Sequence, residues 1–177
     1  MPESATRLVS LHDADARPIR KGRLGKPVEF GYKAQVVDNV DGIILDHTVE
    51  IGNPSDAPQL APAIERTARR AGRPLRAVTA DRGYGQASVE RDLHELGVAN
   101  VAIPRTNKPS AARREFEHRR AFRDKIKWRT RSEGRINHLK RSYGWNRTHL
   151  TGIHGARTWC GHGVFAHSLV KISTLAA

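Results

Sequence analysis

The order of strand-like and helix-like segments between residues 28 and 104 restricts the fold more than any other feature of the chain. Residues 28–37 alternate between apolar and polar side chains, and residues 43–51 are again rich in β-branched side chains. Between them, Asp-Asn-Val-Asp-Gly at 38–42 has the residue types of a turn. This pattern predicts a β-hairpin.

Two helices and two short strands are predicted to follow the hairpin. Turn residues at 52–56 stop the second strand and offer a helix N-cap, and apolar residues at helical spacing then continue to Gly72. Residues 75–80 suit a buried strand, a second helix ends at Gly97, and residues 98–103 suit another buried strand. We therefore expect an α/β fold with a mixed sheet flanked by helices.

Charge divides the sequence at residue 104. The 177 residues carry a net charge of +13, with 14 basic and 14 acidic side chains in 1–104 but 17 basic and 4 acidic ones in 105–177. We interpret 1–104 as a sheet-and-helix core and 105–177 as a basic helical section of a single domain. A neutral body with a cationic section is typical of a protein that binds a phosphate backbone. The alternative is a solubilising or ribosome-bound basic tail.

The basic section is predicted to be mostly helical. Residues 105–132 are a basic, helix-prone arm, and residues 132–143 keep helical spacing up to Gly144. The glycines in 150–163 indicate a loop or a helix junction. Residues 164–175 indicate a final amphipathic helix that packs back on the body.

Composition argues against several classes of protein. No stretch approaches the roughly 20 apolar residues of a membrane span, and we expect no signal peptide. The single cysteine, Cys160, excludes an internal disulfide and a cysteine-based zinc site, and it is interpreted as a packed side chain rather than a nucleophile. The nine histidines show no spacing typical of metal ligands.

Asp81 is the first candidate for chemistry. It follows the predicted strand 75–80, and ligands of open α/β sheets bind beyond the carboxyl ends of the strands. A carboxylate at this place suits Mg²⁺, which takes one or two protein carboxylates together with waters and substrate phosphates. The alternative is that Asp81 caps the helix that follows.

Glu133 is the second candidate, because it is the last acidic residue of the chain. Arg129 precedes it by four residues and Lys140 follows it by seven, so a helix places all three on one face. Such a face could hold a metal ion and clamp a phosphate, and the alternative is that Glu133 only pairs with the cations around it. The candidate DNA-binding cations of this stretch are Arg129, Arg131, Arg135, Lys140 and Arg141.

Aromatic residues alternate with these cations. Trp128, Tyr143 and Trp145 could stack on bases, but residues of this kind more often anchor a basic helix to the core. We therefore do not assign them to nucleic-acid contacts.

From about residue 8 to the C-terminus, the chain resembles the C-terminal part of DDE-type insertion-sequence transposases, whose catalytic core is RNase H-like. Many such transposases carry a Tyr-x2-Arg-x3-Glu-x6-Lys signature. Arg129, Glu133 and Lys140 match its last three positions, and Ile126 stands in place of the tyrosine. The other matching segments are Lys-Gly at 21–22, Glu-Phe-Gly-Tyr-Lys at 29–33, Gly-Asn-Pro-Ser-Asp at 52–56, Ala-Asp-Arg-Gly-Tyr at 80–84, Trp-Arg-Thr-Arg-Ser-Glu-Gly-Arg-Ile at 128–136, and Leu-Lys-Arg at 139–141 with Gly144.

The resemblance implies an RNase H-like fold and metal-dependent cleavage and strand transfer at transposon ends. It implies that Asp81 and Glu133 are catalytic metal ligands, and that Arg129 and Lys140 contact transposon-end DNA. The implied cofactor is Mg²⁺ or Mn²⁺. The implied partners are double-stranded DNA and further copies of the chain, as a homodimer or larger synaptic assembly, in the bacterial cytoplasm.

The first catalytic aspartate of this family is the open point. Asp13 and Asp15 are the only candidates, and neither stands in the Asp-Thr-Thr-like context found upstream in similar transposases. We therefore expect either a truncated catalytic domain or one that uses Asp13. A truncated sheet would expose an apolar face and lower solubility. The alternative functions are a catalytically dead DNA-binding remnant and a basic RNA-binding protein.

Overall fold

The structure of the chain is a computed structural model that describes residues 9–20 and 28–177, without the side chains of Arg20, Thr130, Arg131 and Glu133. In chain order its elements are β1 (Arg17–Arg20), β2 (Val28–Asp38), β3 (Ile44–Ile51), α1 (Ala57–Ala71), β4 (Ala77–Thr79), a short 3-10 helix (Arg82–Tyr84), α2 (Ala87–Glu95), β5 (Asn100–Ala102), α3 (Ala111–His118), α4 (Arg120–Ser142) and α5 (Gly152–Ala176). The mixed α/β class is confirmed.

The described residues form two compact units. Unit 1 consists of the residues up to Pro54 together with Ile136–Ala177, and unit 2 is Ser55–Arg135. The unit boundaries are set by packing and do not coincide with the change of charge at residue 104. The division of the sequence into a core and a basic section of one domain stays a prediction.

The predicted hairpin is confirmed in unit 1. β2 and β3 are antiparallel, with Tyr32 opposite Ile51 at the open end. The Asn39 side chain builds the turn, because its Oδ1 accepts hydrogen bonds from the backbone N–H groups of Asp41 at 3.1 Å and Ile43 at 2.9 Å. An Asn side chain that bonds its own backbone in this way fixes a tight turn.

β1 was not predicted from the sequence. It pairs antiparallel with the first four residues of β2, so the strand order in the sheet is β1-β2-β3, and β1 is an edge strand among the described residues. In the sequence, Pro18 indicates that no strand runs through this segment. An edge strand nevertheless tolerates proline, because one row of its N–H groups needs no hydrogen-bond partner. Ile19 is buried and gives the strand its apolar contact. The basic, glycine-bearing sequence at 20–27 predicts an exposed turn, of which residues 21–27 lie outside the described residues.

The loop predicted at 150–163 is wrong, because α5 runs without interruption from Gly152 to Ala176. Its glycines allow close packing and do not break the helix. A Cβ on Gly163 would lie 2.7 Å from the Tyr143 carbonyl oxygen and 2.8 Å from Trp145 Nε1, and a Cβ on Gly155 would lie 2.8 Å from Leu150 Cβ. The segment between α4 and α5 thus lies directly against the helix at positions where only glycine fits.

Unit 2 confirms the predicted order of helix, strand, helix and strand. α1 ends at Gly72, whose φ of 65° is the left-handed conformation of a helix C-cap. β4 and β5 pair in parallel, and Leu93 of α2 and Val101 of β5 are buried in the core. The two strands form their own sheet among the described residues, so the RNase H-like arrangement of all five strands stays a proposal.

The predicted basic arm is two helices. α3 begins at the Ser110 N-cap, whose hydroxyl accepts a hydrogen bond from Arg113 N at 3.2 Å. The chain is extended at Arg119, and α4 then continues through the predicted helical stretch to Ser142. In the part of the chain that the structure describes, we find no helix with the length and apolar character that crossing a bilayer requires.

Candidate functional site

Asp81 lies beyond the carboxyl end of a strand, as the sequence predicts, two residues after the last residue of β4. Its backbone is extended, its side chain is exposed, and its Oδ1 accepts a hydrogen bond from Gly83 N at 2.5 Å. Asp81 thus caps the short 3-10 turn Arg82–Tyr84. The interpretation that it caps the following helix is wrong, because α2 begins after Gln86. A cap uses only part of the acceptor capacity of a carboxylate, so Asp81 keeps lone pairs that face solvent and could bind a cation.

A second carboxylate that the sequence analysis did not single out lies beside Asp81. A Cβ on Gly83 would lie 2.9 Å from Asp81 Oδ1 and 3.8 Å from Asp56 Oδ2, so both carboxylates flank the same point. From the sequence, Asp56 is expected only to start the helix that follows it. It does stand at the N-cap position of α1, but its backbone is helical and its side chain makes no capping hydrogen bond.

Tyr84 belongs to the same group of side chains. Burial raises the pKa of its phenol above the ordinary value, and the charges of Asp56 and then Asp81 raise it further. The phenol is therefore neutral at physiological pH and remains a hydrogen-bond donor. The site in unit 2 thus combines two carboxylates with a neutral hydroxyl.

The turn that carries Asp81 is held by the segment after β5. Thr106 N donates to the Gly85 carbonyl oxygen at 3.1 Å, and the Thr106 hydroxyl donates to the Arg82 carbonyl oxygen at 2.8 Å. A Cβ on Gly85 would lie 1.9 Å from the Pro104 carbonyl oxygen, so the two segments can approach this closely only with glycine at this position. This contact fixes the position of the Asp81 turn at the end of the parallel sheet.

Glu133 lies on α4, as the sequence predicts, together with Arg129 and Lys140. That the three share one face of the helix stays a prediction from their separations of four and seven residues. The side chains of Glu133 and Arg131 lie outside the described residues. The approach of Glu133 to Asp81 therefore stays a prediction.

The other candidate DNA-binding cations have different surroundings. The Arg135 guanidinium lies 5.8 Å from the centre of the Trp128 ring, and its Nη2 donates to Ser132 Oγ at 3.2 Å. Lys140 is half-buried, whereas Arg141 is exposed. Their role in DNA binding stays a prediction.

Asp13 and Asp15 bind the start of α5 in unit 1. Asp13 Oδ1 accepts from Gly152 N at 3.3 Å, and Asp15 Oδ2 accepts from Ile153 N at 2.9 Å. The Tyr32 hydroxyl donates to the Asp13 carboxylate at 2.7 Å. Two negative charges at a helix N-terminus are stabilising, because they satisfy free N–H groups and interact favourably with the helix dipole.

Residues 6–169 of the chain match the family model described as the transposase DDE domain. The chain belongs to this family. Comparison with curated proteins and with solved structures gives no match.

Cys160 of this DDE domain is a half-buried free thiol. Burial raises the pKa of the Cys160 thiol to about 11, which agrees with a packed side chain and not with a nucleophile. Across residues 9–20 and 28–177, apart from the side chains left undescribed, no group of three or more His, Cys, Asp or Glu side chains could hold a metal ion.

Aromatic residues of the DDE domain anchor its basic segment. Trp145 Nε1 donates to the Cys160 carbonyl oxygen at 3.1 Å, and Trp159 Nε1 donates to the Gly144 carbonyl oxygen at 2.7 Å. Tyr143 packs edge-to-face with His167, at 5.4 Å between ring centres. These contacts support the interpretation that Tyr143 and Trp145 are structural.

Proposed function

We propose that the chain acts in DNA transposition by cutting strands at transposon ends and joining them to new DNA, in an RNase H-like domain that depends on a divalent metal. The observation that carries the proposal is the place of Asp81 in a chain of the DDE transposase family. Its exposed carboxylate follows a parallel strand. This is the edge of an α/β sheet at which ligands bind.

The residues around Asp81 fit a hard cation. Asp81 and Asp56 supply carboxylate oxygens near Gly83, and carboxylate oxygen is the donor type that Mg²⁺ and Mn²⁺ prefer. Glu133 is the proposed further ligand, supplied by α4. A bound divalent ion would activate the attacking oxygen and stabilise the leaving oxygen of the phosphodiester.

The cations of α4 would bind and orient the DNA. Arg129 precedes Glu133 by four residues and Lys140 follows it by seven, a helical spacing at which a backbone phosphate held by the two cations would lie next to the reacting bond. A guanidinium and an ammonium group also stabilise the charge that develops on phosphate oxygens during cleavage.

Strand cleavage by the purified chain tests this proposal. The substrate is duplex DNA from the two flanks of the chain's own coding sequence, with Mg²⁺ or Mn²⁺. We expect nicks that need the metal, and Asp81→Asn and Glu133→Gln should each lower the cleavage rate by about 100-fold or more.

The matched control is Glu95→Gln. Its side chain is 72% exposed at the end of α2, so the variant removes one carboxylate of unit 2 outside the proposed site. It should cleave like the unmodified chain.

Binding of Mn²⁺, followed by electron paramagnetic resonance, should weaken in Asp81→Asn and not in Glu95→Gln. Equal cleavage by Asp81→Asn and the unmodified chain would refute the catalytic assignment.

A second candidate function is DNA binding without cleavage. The hydrogen bonds that Asp13 accepts from Tyr32 and Gly152 favour it, because they give the candidate first aspartate a structural role in unit 1. Salt-sensitive DNA binding with no metal-dependent nicking would support this function.

A further inference from the structure

One residue after β5, Thr106, binds both ends of the turn that follows Asp81. Its hydroxyl donates a hydrogen bond to the Arg82 carbonyl oxygen at 2.8 Å, and its backbone N–H donates to the Gly85 carbonyl oxygen at 3.1 Å. Arg82 is the first residue of the 3-10 helix Arg82–Tyr84, and Gly85 is the residue directly after it. Thr106 therefore holds the whole turn and not only one of its residues.

The residue before Thr106 is anchored to two helices. Arg105 N donates to Glu117 Oε1 of α3 at 3.0 Å, and the Arg105 guanidinium pairs with Glu90 of α2 at 2.8 Å. Glu117 is itself held by Arg113 Nε at 2.8 Å. The side chains of Arg105 and Glu90 are only 25% and 18% exposed, so solvent and salt screen this pair less than a surface pair. These bonds give Thr106 a fixed base from which it binds the turn.

The hydroxyl of Thr106 acts on the conformation that places the Asp81 carboxylate. The Arg82 carbonyl oxygen also accepts from Gly85 N at 2.9 Å, so Thr106 binds the oxygen that closes the 3-10 turn. Asp81 Oδ1 accepts from Gly83 N in the middle of that turn. A 3-10 helix of three residues has few hydrogen bonds of its own, so an outside donor contributes much of its order.

We propose that Thr106 is a positioning residue for the metal site at Asp81 and Asp56. The inference rests on the proposed function, because it requires a divalent ion at these carboxylates. Thr106 acts through the turn and not on the ion. Its hydroxyl keeps the Asp81 carboxylate in one place before the ion binds, and a site that is already ordered binds its ligand more tightly.

Binding of Mn²⁺ to Thr106→Val, followed by electron paramagnetic resonance, tests the proposal. Valine removes the hydroxyl but keeps the shape of the side chain and the backbone N–H. The Kd for Mn²⁺ should rise by about 10-fold, as is typical when a residue that supports a metal ligand is lost. Thr106→Ser keeps the hydroxyl and should restore the Kd to within about 2-fold of the unmodified chain. The position is exposed, so both variants should fold, and circular dichroism checks this.

The matched control is Thr79→Val in β4. The Thr79 hydroxyl donates to the Ala102 carbonyl oxygen of β5 at 2.9 Å, so this variant also loses a bond from a hydroxyl to a backbone carbonyl in unit 2. That bond joins the two strands and does not reach the turn. The Kd for Mn²⁺ should stay within about 2-fold of the unmodified chain. Equal weakening by Thr79→Val and Thr106→Val would overturn the proposal, because general stability of the sheet would then set the affinity.

Amide hydrogen exchange gives a measurement without any metal. The N–H groups of Gly83 and Gly85 both donate within the turn. In Thr106→Val these two amides should exchange about 3-fold faster or more, because the turn opens more often. In Thr79→Val they should exchange as in the unmodified chain. Unchanged exchange at both amides in Thr106→Val would overturn the proposal.

Asp81→Asn separates a failure of this inference from a failure of the proposed function. If Asp81→Asn binds Mn²⁺ as tightly as the unmodified chain, the proposed metal site is wrong and the role of Thr106 is wrong with it. If Asp81→Asn weakens binding and Thr106→Val does not, only the positioning role is wrong. In the cleavage assay, about 10-fold more Mn²⁺ should restore the rate of Thr106→Val, since only the affinity for the metal has changed. A rate that stays low at saturating Mn²⁺ would overturn the proposal.

Discussion

Gly85 is the residue at which the Asp81 turn is most sensitive to an added methyl group. A Cβ there would lie 1.9 Å from the Pro104 carbonyl oxygen and 2.8 Å from Thr106 N, and both contacts are with backbone that cannot turn aside. We expect Gly85→Ala to lower the free energy of unfolding by about 1 to 3 kcal/mol or more. Gly134→Ala is the control, since nothing lies within 4 Å and a helical alanine should add about 0.5 to 1 kcal/mol. Urea denaturation measures both, and an unchanged midpoint for Gly85→Ala would contradict the described turn.

Tyr32 is expected to make the folded chain less stable as the pH becomes alkaline. Burial and its hydrogen bond to Asp13 raise the pKa of the phenol above its ordinary value of about 10. The unfolded chain then loses this proton at lower pH than the folded chain. The stabilisation is fully present below pH of about 10 and is lost as pH rises towards the folded-state pKa.

Tyr32→Phe tests this linkage. The variant should lose less stability than the unmodified chain between pH values of about 8 and 11, because one of the shifted phenols is gone. Urea midpoints at the two pH values measure the loss. The same loss in both proteins would show that the Tyr32 phenol does not contribute.

At the scale of elements, Arg113 joins α2, α3 and the end of β5. Its guanidinium bonds Glu90 at 2.9 Å, Glu117 at 2.8 Å and the Ile103 carbonyl oxygen at 2.8 Å. Lysine has one nitrogen in place of three, so Arg113→Lys should lower the free energy of unfolding by about 2 to 4 kcal/mol. Arg114→Lys, at the exposed neighbouring position, should change it by less than about 0.5 kcal/mol. Comparable urea midpoints for the two variants would refute the role of Arg113.

Elements with a clear local pattern were predictable, and those fixed by distant contacts were not. Alternation and turn residues gave the hairpin, and glycines with positive φ ended α1 and α2 at Gly72 and Gly97. Gly163 contributed to the wrong prediction of a loop. Its lack of a side chain allows the Tyr143 carbonyl oxygen to lie close to α5, and this contact exists only in the folded chain. β1 was missed because its pairing with β2 overrides the local signal of Pro18.

The candidate site likewise contains residues that the sequence could predict and residues that it could not. Asp81 was predictable, because a carboxylate directly after a buried strand is a local pattern. Asp56 was not, since it comes to Gly83 only through the packing of α1 against the turn. The acceptor role of Asp15 was equally hidden, because the N–H that it binds lies 138 residues further along the chain.

For the whole molecule, the excess positive charge should determine nucleic-acid affinity. Residues 105–177 supply the entire net charge of +13, and Arg123 and Lys127 of α4 are exposed. Each phosphate contact makes the logarithm of the DNA binding constant fall with the logarithm of salt concentration by about 0.9. Arg123→Gln combined with Lys127→Gln should therefore reduce the slope by up to about 2, measured by fluorescence anisotropy on a duplex.

Arg69→Gln combined with Arg73→Gln removes the same charge from exposed positions in the neutral part of the sequence. It should leave the slope nearly unchanged, because these residues lie outside the basic section. Equal slopes for the two double variants would mean that net charge alone, and not the basic section, sets the affinity. A preference for structured RNA over duplex DNA at equal salt would instead favour an RNA-binding protein, because A-form helices are recognised through their shape and 2′-hydroxyl groups.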